Sequence, residues 1–130
     1  MPAYLLDTHT CLFALASPKR LGTRARRALT RADESGHPVW LPAAVAAEVV
    51  LLKELGRTDL GLPQLREVIE RTCWRFLPLD LRQLDEFATL VAIRDPFDRL
   101  IVAAARAARA KLITRDATIE ELGLVDVVWN

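Results

Sequence analysis

Twice in this sequence a short apolar run stops dead at an aspartate that opens a helix, and that repeat limits the fold more than anything else. Ala3-Tyr4-Leu5-Leu6 ends at Asp7, and Lys111-Leu112-Ile113-Thr114 ends at Arg115-Asp116. Runs of four residues without polar alternation read as strands buried on both faces. Each run gives way to a helix: Cys11 to Leu15, closed near Ser17-Pro18, and Ala117 to Leu122, closed by Gly123. Strands that hand over to helices in this way build parallel sheets.

The remaining segments extend the alternation. Leu21 to Glu34 is an amphipathic helix with a basic outer side, and Ser35-Gly36-His37-Pro38 is a turn. Val39-Trp40-Leu41 is a short strand, with Pro42 as the first residue of the next helix, Ala43 to Leu55. Gly56 ends it, and Arg57 to Pro63 is a loop. A helix from Leu65 to Cys73 leads to a strand ending at Phe76-Leu77-Pro78-Leu79. Asp80 and Gln83 form a capping box for a helix from Leu81 to Ala92. Asp95 caps the following helix, Pro96 takes its first position, and Asp98 stands on its first turn. Arg99, Arg106 and Arg109 mark the wetter side of that alanine-rich segment. Val125 to Trp129 is a last strand at a sheet edge. The expectation is an α/β fold: a three-layer α/β/α sandwich around a central parallel sheet of four to five strands, with residues 1–130 as one domain.

With 52% hydrophobic and 27% charged residues the composition is that of a soluble globular chain. No apolar run approaches the length of a membrane span, and Asp7 interrupts the N-terminal run too early for a signal peptide. Cys11 and Cys73 lie in apolar segments, so reduced, buried thiols and a cytoplasmic location are expected. The net charge of +1 conceals a basic segment from Lys19 to Arg31, which reads either as a solvated helix face or as a contact for a phosphate backbone. His9 has no second histidine at a helical spacing and is expected to be no ligand.

Five acids stand where function is plausible. Each has a plain structural explanation: Asp7, Asp95, Asp98 and Asp116 can cap helices or oppose a helix dipole, and Glu48 can pair with Lys53 or an arginine. Glu48 is the unusual one, because its helix is otherwise apolar and a carboxylate there needs a partner or a cation. In a parallel sheet all strand C-termini and the adjoining helix N-termini share one rim. Asp7, Asp98 and Asp116 can therefore meet there, with Glu48 leaning in from beside them. Carboxylates cannot crowd as bare anions, so protons or a cation must compensate them. All-oxygen ligands without a Cys/His set suit Mg²⁺ or Mn²⁺, the usual equipment for cutting a phosphodiester. Thr8 and Thr114 could orient a carboxylate or a water there.

These same segments resemble a known family. Leu5-Leu6-Asp7-Thr8-His9-Thr10, Glu48 with Lys53 and Gly56, Asp95-Pro96-Phe97-Asp98-Arg99-Leu100-Ile101 and Leu112-Ile113-Thr114-Arg115-Asp116 look like a PIN domain. More narrowly they look like the VapC toxins of bacterial type II toxin–antitoxin systems. The likeness spans essentially the whole chain, and the Asp-Pro-Phe-Asp-Arg and Thr-Arg-Asp segments are its most specific parts. The resemblance implies a Mg²⁺- or Mn²⁺-dependent endoribonuclease acting on structured RNA such as tRNA or rRNA, a VapB-like antitoxin that blocks the site, and a homodimer. It places catalytic and metal-binding roles on Asp7, Glu48, Asp98 and Asp116, with Asp95 as an additional metal ligand and Thr114 as the polar neighbour of the last acid. Ala46-Ala47 stand before Glu48 where many relatives carry a tryptophan, a departure expected to alter packing and not metal binding. Arg94, Arg99, Arg115 and the basic segment are candidate phosphate contacts. The competing reading is a non-catalytic RNA- or partner-binding module on the same fold. A phosphoacceptor domain fits poorly, because the late strand ends on Thr114-Arg115-Asp116 and has its lysine, Lys111, at the start.

Overall fold

The computed structural model describes residues 2–130. Its centre is a five-stranded, all-parallel sheet in the order β3-β2-β1-β4-β5. The strands are β1 (Ala3–Leu6), β2 (Val39–Pro42), β3 (Trp74–Leu77), β4 (Ala110–Ile113) and β5 (Val127–Val128). The helices between them are α1 (Thr8–Ala16), α2 (Thr23–Ser35), α3 (Ala43–Glu54), α4 (Leu62–Arg71), α5 (Leu81–Thr89), α6 (Pro96–Ala107) and α7 (Ala117–Leu122). A single 3-10 turn, Pro18–Arg20, separates α1 from α2. The chain winds outward from β1 to β3 on one side and from β4 to β5 on the other. With right-handed crossovers the two halves carry their helices on opposite faces. This is the expected α/β/α sandwich, and β5 lies at the edge where the sequence put it.

The core explains why the central strands are apolar throughout. Leu5 and Leu6, successive residues of β1, are both fully buried, as are Leu112 and Ile113 of β4. A strand covered on both faces has no wet side for a polar residue. Among the described residues no helix is long and apolar enough to cross a membrane. Cys11 and Cys73 are buried free thiols, as expected. Burial, and after it the charge of Asp7, pushes the Cys11 thiol up to about 12.

Several boundaries differ from the sequence reading, each for a local reason. Helix α1 begins at Thr8 instead of near Cys11, because Asp7 itself is the cap. Pro42 is the last strand residue and N-cap of α3, not its first helical residue; ψ of 154° keeps it extended. Helix α4 starts within the expected loop, where the Gly61 N–H donates to Gln64 Oε1 at 2.8 Å and Pro63 fits the first turn. It stops at Arg71 because the Thr72 hydroxyl donates back to the Val68 carbonyl and accepts from the Trp74 N–H, which releases the chain into β3. Strand β5 is shortened to two residues.

Helix α5 ends at Thr89, three residues before the expected Ala92. The cause lies on another helix. Arg99 of α6 donates from Nε to the Phe87 carbonyl at 2.9 Å and stacks its guanidinium 4.3 Å from the Phe87 ring centroid. A cation there satisfies the last turn and favours the negative end of the helix. The expected Asp80 capping box is half formed. Asp80 Oδ1 accepts from the Gln83 N–H at 2.9 Å, but the buried Gln83 side chain donates to the Pro78 carbonyl instead of reaching back.

Gly22, which precedes α2, is dictated by the opposite end of the chain. The Ala25 N–H donates to the Trp129 carbonyl at 2.9 Å, which brings the segment after β5 against the start of α2. A Cβ on Gly22 would stand 2.2 Å from the Trp129 carbonyl oxygen and 2.8 Å from Asn130 Oδ1. Gly22→Ala therefore forces backbone apart and is expected to destabilise the protein by about 1–3 kcal/mol. Urea unfolding monitored by circular dichroism reads this directly. A variant with wild-type stability would show that the C-terminal segment does not press on α2 in solution.

Candidate active site

The sheet order reverses between β1 and β4, and in open α/β sheets the crevice beyond the strand ends at such a point is the natural ligand site. One carbonyl holds the two strand ends together. Ile113 at the end of β4 accepts from the Asp7 N–H at 3.3 Å and from the buried Thr10 hydroxyl at 2.7 Å. Asp7 is thereby fixed just past β1. Its Oδ1 accepts from the Thr10 N–H at 2.9 Å, capping α1.

The other strand end is built the same way. Thr114 is fully buried, and its hydroxyl accepts from the Asp116 N–H at 3.1 Å. Asp116 Oδ1 then accepts from the N–H groups of Thr118 and Ile119 at 2.9 and 3.2 Å, capping α7. At α6, Asp95 Oδ1 accepts from the Asp98 N–H at 3.0 Å. Asp7, Asp95 and Asp116 are thus all helix caps, as their plain structural explanation required. Each uses Oδ1 for the cap, and among the described residues no hydrogen bond reaches its Oδ2.

Glu48 does not form the ion pair that its apolar helix suggested. Its partner is Thr8, whose hydroxyl donates to Glu48 Oε1. Thr8 is buried on the first turn of α1, one residue beyond Asp7, so the contact ties the middle of α3 to the end of β1. Because Asp7 caps α1, Thr8 is left free to orient the glutamate.

Asp98 is different in kind. It is half-buried on the first turn of α6, and its carboxyl is pushed up to about 6. Burial is the largest cause, and then come the negative charges of Asp95, Asp116, Glu48 and Asp7 in that order. The five acids singled out in the sequence therefore share one electrostatic environment, centred on Asp98. They are not a closed cage: among the described residues no three His, Cys, Asp or Glu side chains are grouped tightly enough to hold a metal ion by themselves.

The arginines divide. Arg94 is exposed. Arg99 is occupied in closing α5. Arg115 stacks its guanidinium 4.9 Å from the Phe13 ring centroid, and Arg20 stacks 4.2 Å from the same centroid. Phe13 also packs against His9 and Trp129. The sequence reading missed this buried ring as the platform that holds two cations near the rim. The available signal was Phe13 on α1 within four residues of His9, but which arginines would reach it depends on distant parts of the chain.

The elevated Asp98 gives a signed pH dependence. Its folded value of about 6 lies above the ordinary 3.8. The folded state therefore binds the proton more tightly, and stability falls as pH rises from about 4 to about 6. Below that window both states are protonated and the residue is neutral in effect. Asp98→Asn removes the ionisation. Without divalent ions, the variant should melt a few degrees above wild type at pH 7.5, and the difference should vanish at pH 4. Differential scanning calorimetry at the two pH values checks it. A variant that melts well below wild type at pH 7.5 would refute the shared acidic environment.

Known families and solved structures bear on this site. The model of the PIN domain family matches residues 4–124. No curated protein matches the sequence. Among solved structures, VapBC2 from Rickettsia felis, bound to a DNA fragment from its promoter, is similar with a TM-score of 0.73 at 16% identity, over 98% of this chain and 99% of that one. DNA-bound VapBC from Salmonella typhimurium gives a TM-score of 0.69 at 15% identity, covering 98% and 97%. FitAcB from Neisseria gonorrhoeae gives 0.66 at 22% identity, covering 95% of each chain. At these identities the structures attest the fold. The family match, which takes in Asp7, Glu48, Asp98 and Asp116 in one span, goes further: the chain belongs to the PIN domain family.

Proposed function

We propose that this chain is a Mg²⁺- or Mn²⁺-dependent endoribonuclease of the VapC kind, with residues 1–130 forming one PIN domain and a VapB-like antitoxin as its inhibitor. The observation that carries the reading is the convergence of four carboxylate charges on the half-buried Asp98. PIN domains are generally nucleases that use divalent metals, so the site has to suit a hard cation.

The residues present fit one. The donors are carboxylate oxygens with no thiolate or imidazole among them, which favours Mg²⁺ or Mn²⁺ over Zn²⁺. Their mutual repulsion, expressed in the raised Asp98, is the imbalance a divalent cation relieves. Their openness suits an ion that retains several waters. Asp7, Asp98 and Asp116 would hold it, with Glu48 completing the set and Asp95 contributing from the cap. When bound, the ion supplies charge for the phosphate oxygens and acidifies a water.

What the chain itself does is set by its hydrogen bonds. Backbone N–H groups fix Asp7, Asp95 and Asp116 through Oδ1, and Oδ2 of each is left as an acceptor for water or ion. Thr8 fixes Glu48, and the buried Thr114 fixes the turn that carries Asp116. Side chains held in this way lose little freedom when substrate arrives.

Partners accord with the same reading. An antitoxin would cover the acidic crevice with a basic side chain in place of the cation. A homodimer would draw on exposed apolar residues such as Leu55, Leu81 and Val91. RNA, tRNA or rRNA by resemblance, is the substrate, and the cytoplasm is the setting.

Purified protein free of any partner, incubated with total bacterial RNA, tests the function. Discrete fragments are expected with Mn²⁺ or Mg²⁺ and none with EDTA. Asp7→Asn and Asp98→Asn should each lower the cleavage rate by at least about a hundredfold. RNA that is bound but never cut would establish the non-catalytic binding module instead.

A further inference from the structure

The acidic rim leaves one strong charge pattern unused. Arg24, Arg27 and Arg31 recur at spacings of three and four and so run along one side of α2. All three are exposed, while Ala25, Ala28 and Ala32 bury the adjoining stripe against the core. The arginines line a cleft of about 150 Å³ whose other walls are Tyr4 of β1, Lys111 of β4, Ala28 and Val128. Tyr4 and Lys111 are register partners, so the cleft opens where α2 leaves the β1–β4 pair uncovered.

Among the described residues none of these cations is in an ion pair, although Asp126 lines a neighbouring cleft together with Lys111. The ion pairs among the described residues are Glu67 with Arg71 and Glu86 with Arg106, and neither touches the cleft. Arg24 also borders a second cleft, of about 340 Å³, together with Thr114, Arg115, Glu120 and Trp129. Thr114 and Arg115 lead directly to Asp116. The two clefts meet at Arg24 and form one track from the acidic rim to Lys111, with Glu120 as its one carboxylate side chain, at the rim end.

Three arginines and a lysine lining one cleft, with no carboxylate in its walls, suit a polyanion. A lone phosphate is too small an occupant: the helical rise separates Arg24 from Arg31 by about 10 Å, farther than one phosphate reaches. Basic walls flanked by partly exposed aromatic rings, here Tyr4 and Trp129, are the build of grooves that hold a single strand. We propose that this track holds the phosphate backbone of an unpaired RNA segment beside the scissile bond, leading it from the acidic rim along α2 to Lys111. The proposal rests on the ribonuclease reading for its direction and on the cleft alone for its existence.

Fluorescence anisotropy with a 5′-labelled 20-nucleotide uridine oligomer, in EDTA to prevent cleavage and across a KCl series, tests it. The full chain is compared with R24A/R27A/R31A, with Lys111→Ala, and with R57A/R66A, two exposed arginines off the track. The triple variant should bind at least about tenfold more weakly, and its plot of log K against log salt should flatten by about 2, at roughly 0.7 per lost phosphate contact. Lys111→Ala should flatten it by about 0.7, and R57A/R66A should match wild type. A folded triple variant that keeps the wild-type slope overturns the track. So does competition by poly-glutamate as strong as by unlabelled RNA, which assigns the surface to an acidic protein partner. If the triple variant does not fold, the single Arg27→Glu decides by the same criterion. Wild type that binds through the track yet cuts no RNA with Mn²⁺ supports the track and fails only the nuclease reading.

Discussion

The Ile113 carbonyl is a small feature on which the rest of the rim depends. It ends β4, and it accepts from both the Asp7 backbone and the Thr10 hydroxyl. A buried carbonyl needs a donor, and the energetic penalty for leaving one unmet is larger than the gain from any one bond. Two donors from the turn after β1 meet that need and fix the strand ends across the point where the sheet order reverses. Asp7 then has a single location relative to Thr114 and Asp116. The β1–β4 ladder sets the two strands side by side, and that lock extends the constraint to the turn that carries Asp7.

The acids show how one side chain can cap a helix and still keep an oxygen free. A capping aspartate is ordinary, and three of these five do nothing unusual in structural terms. An aspartate, however, has two oxygens, and a cap through Oδ1 leaves the second one held in place at no further entropic expense. Among the described residues Asp98 has no backbone N–H donor on its side chain. It is half-buried, and burial together with the charges of the other four raises its proton affinity. Its own N–H is spent on Asp95, so the cap of α6 is made by one acid while the charge imbalance falls on the other.

Which features were legible in the sequence depends on how local their causes are. The parallel sheet and its helices could be read because uninterrupted apolar runs and capping residues act within a few positions of one another. The same holds for Asp95, Pro96 and Asp116, whose partners lie two or three residues away. Glu48 was recognisable as anomalous, since its helix has no other acid until Glu54, but its partner was not, because Thr8 is forty residues distant. Arg99 was read as a phosphate contact from its place beside Asp98. In the fold it closes α5, twelve residues upstream, and that also explains the missing last turn of that helix. Gly22 carries no local signal at all: its φ of −63° is open to any residue, and only the approach of Trp129 from the far end of the chain requires it.

The distribution of charge completes the physical picture. A total of +1 describes neither surface of this molecule. Acids collect at the strand C-termini, where helix N-termini supply positive dipole ends and free N–H groups to support them. Arginines collect on α2, which runs back from that rim, and alanines beneath them let the helix lie close to the sheet. A polyanion approaching the acidic crevice alone would be repelled. Cations on the adjoining face, with Arg115 and Arg20 stacked on Phe13, offset that repulsion. The near-neutral net charge is thus the sum of two opposed fields, an acidic one at the strand C-termini and a basic one along α2.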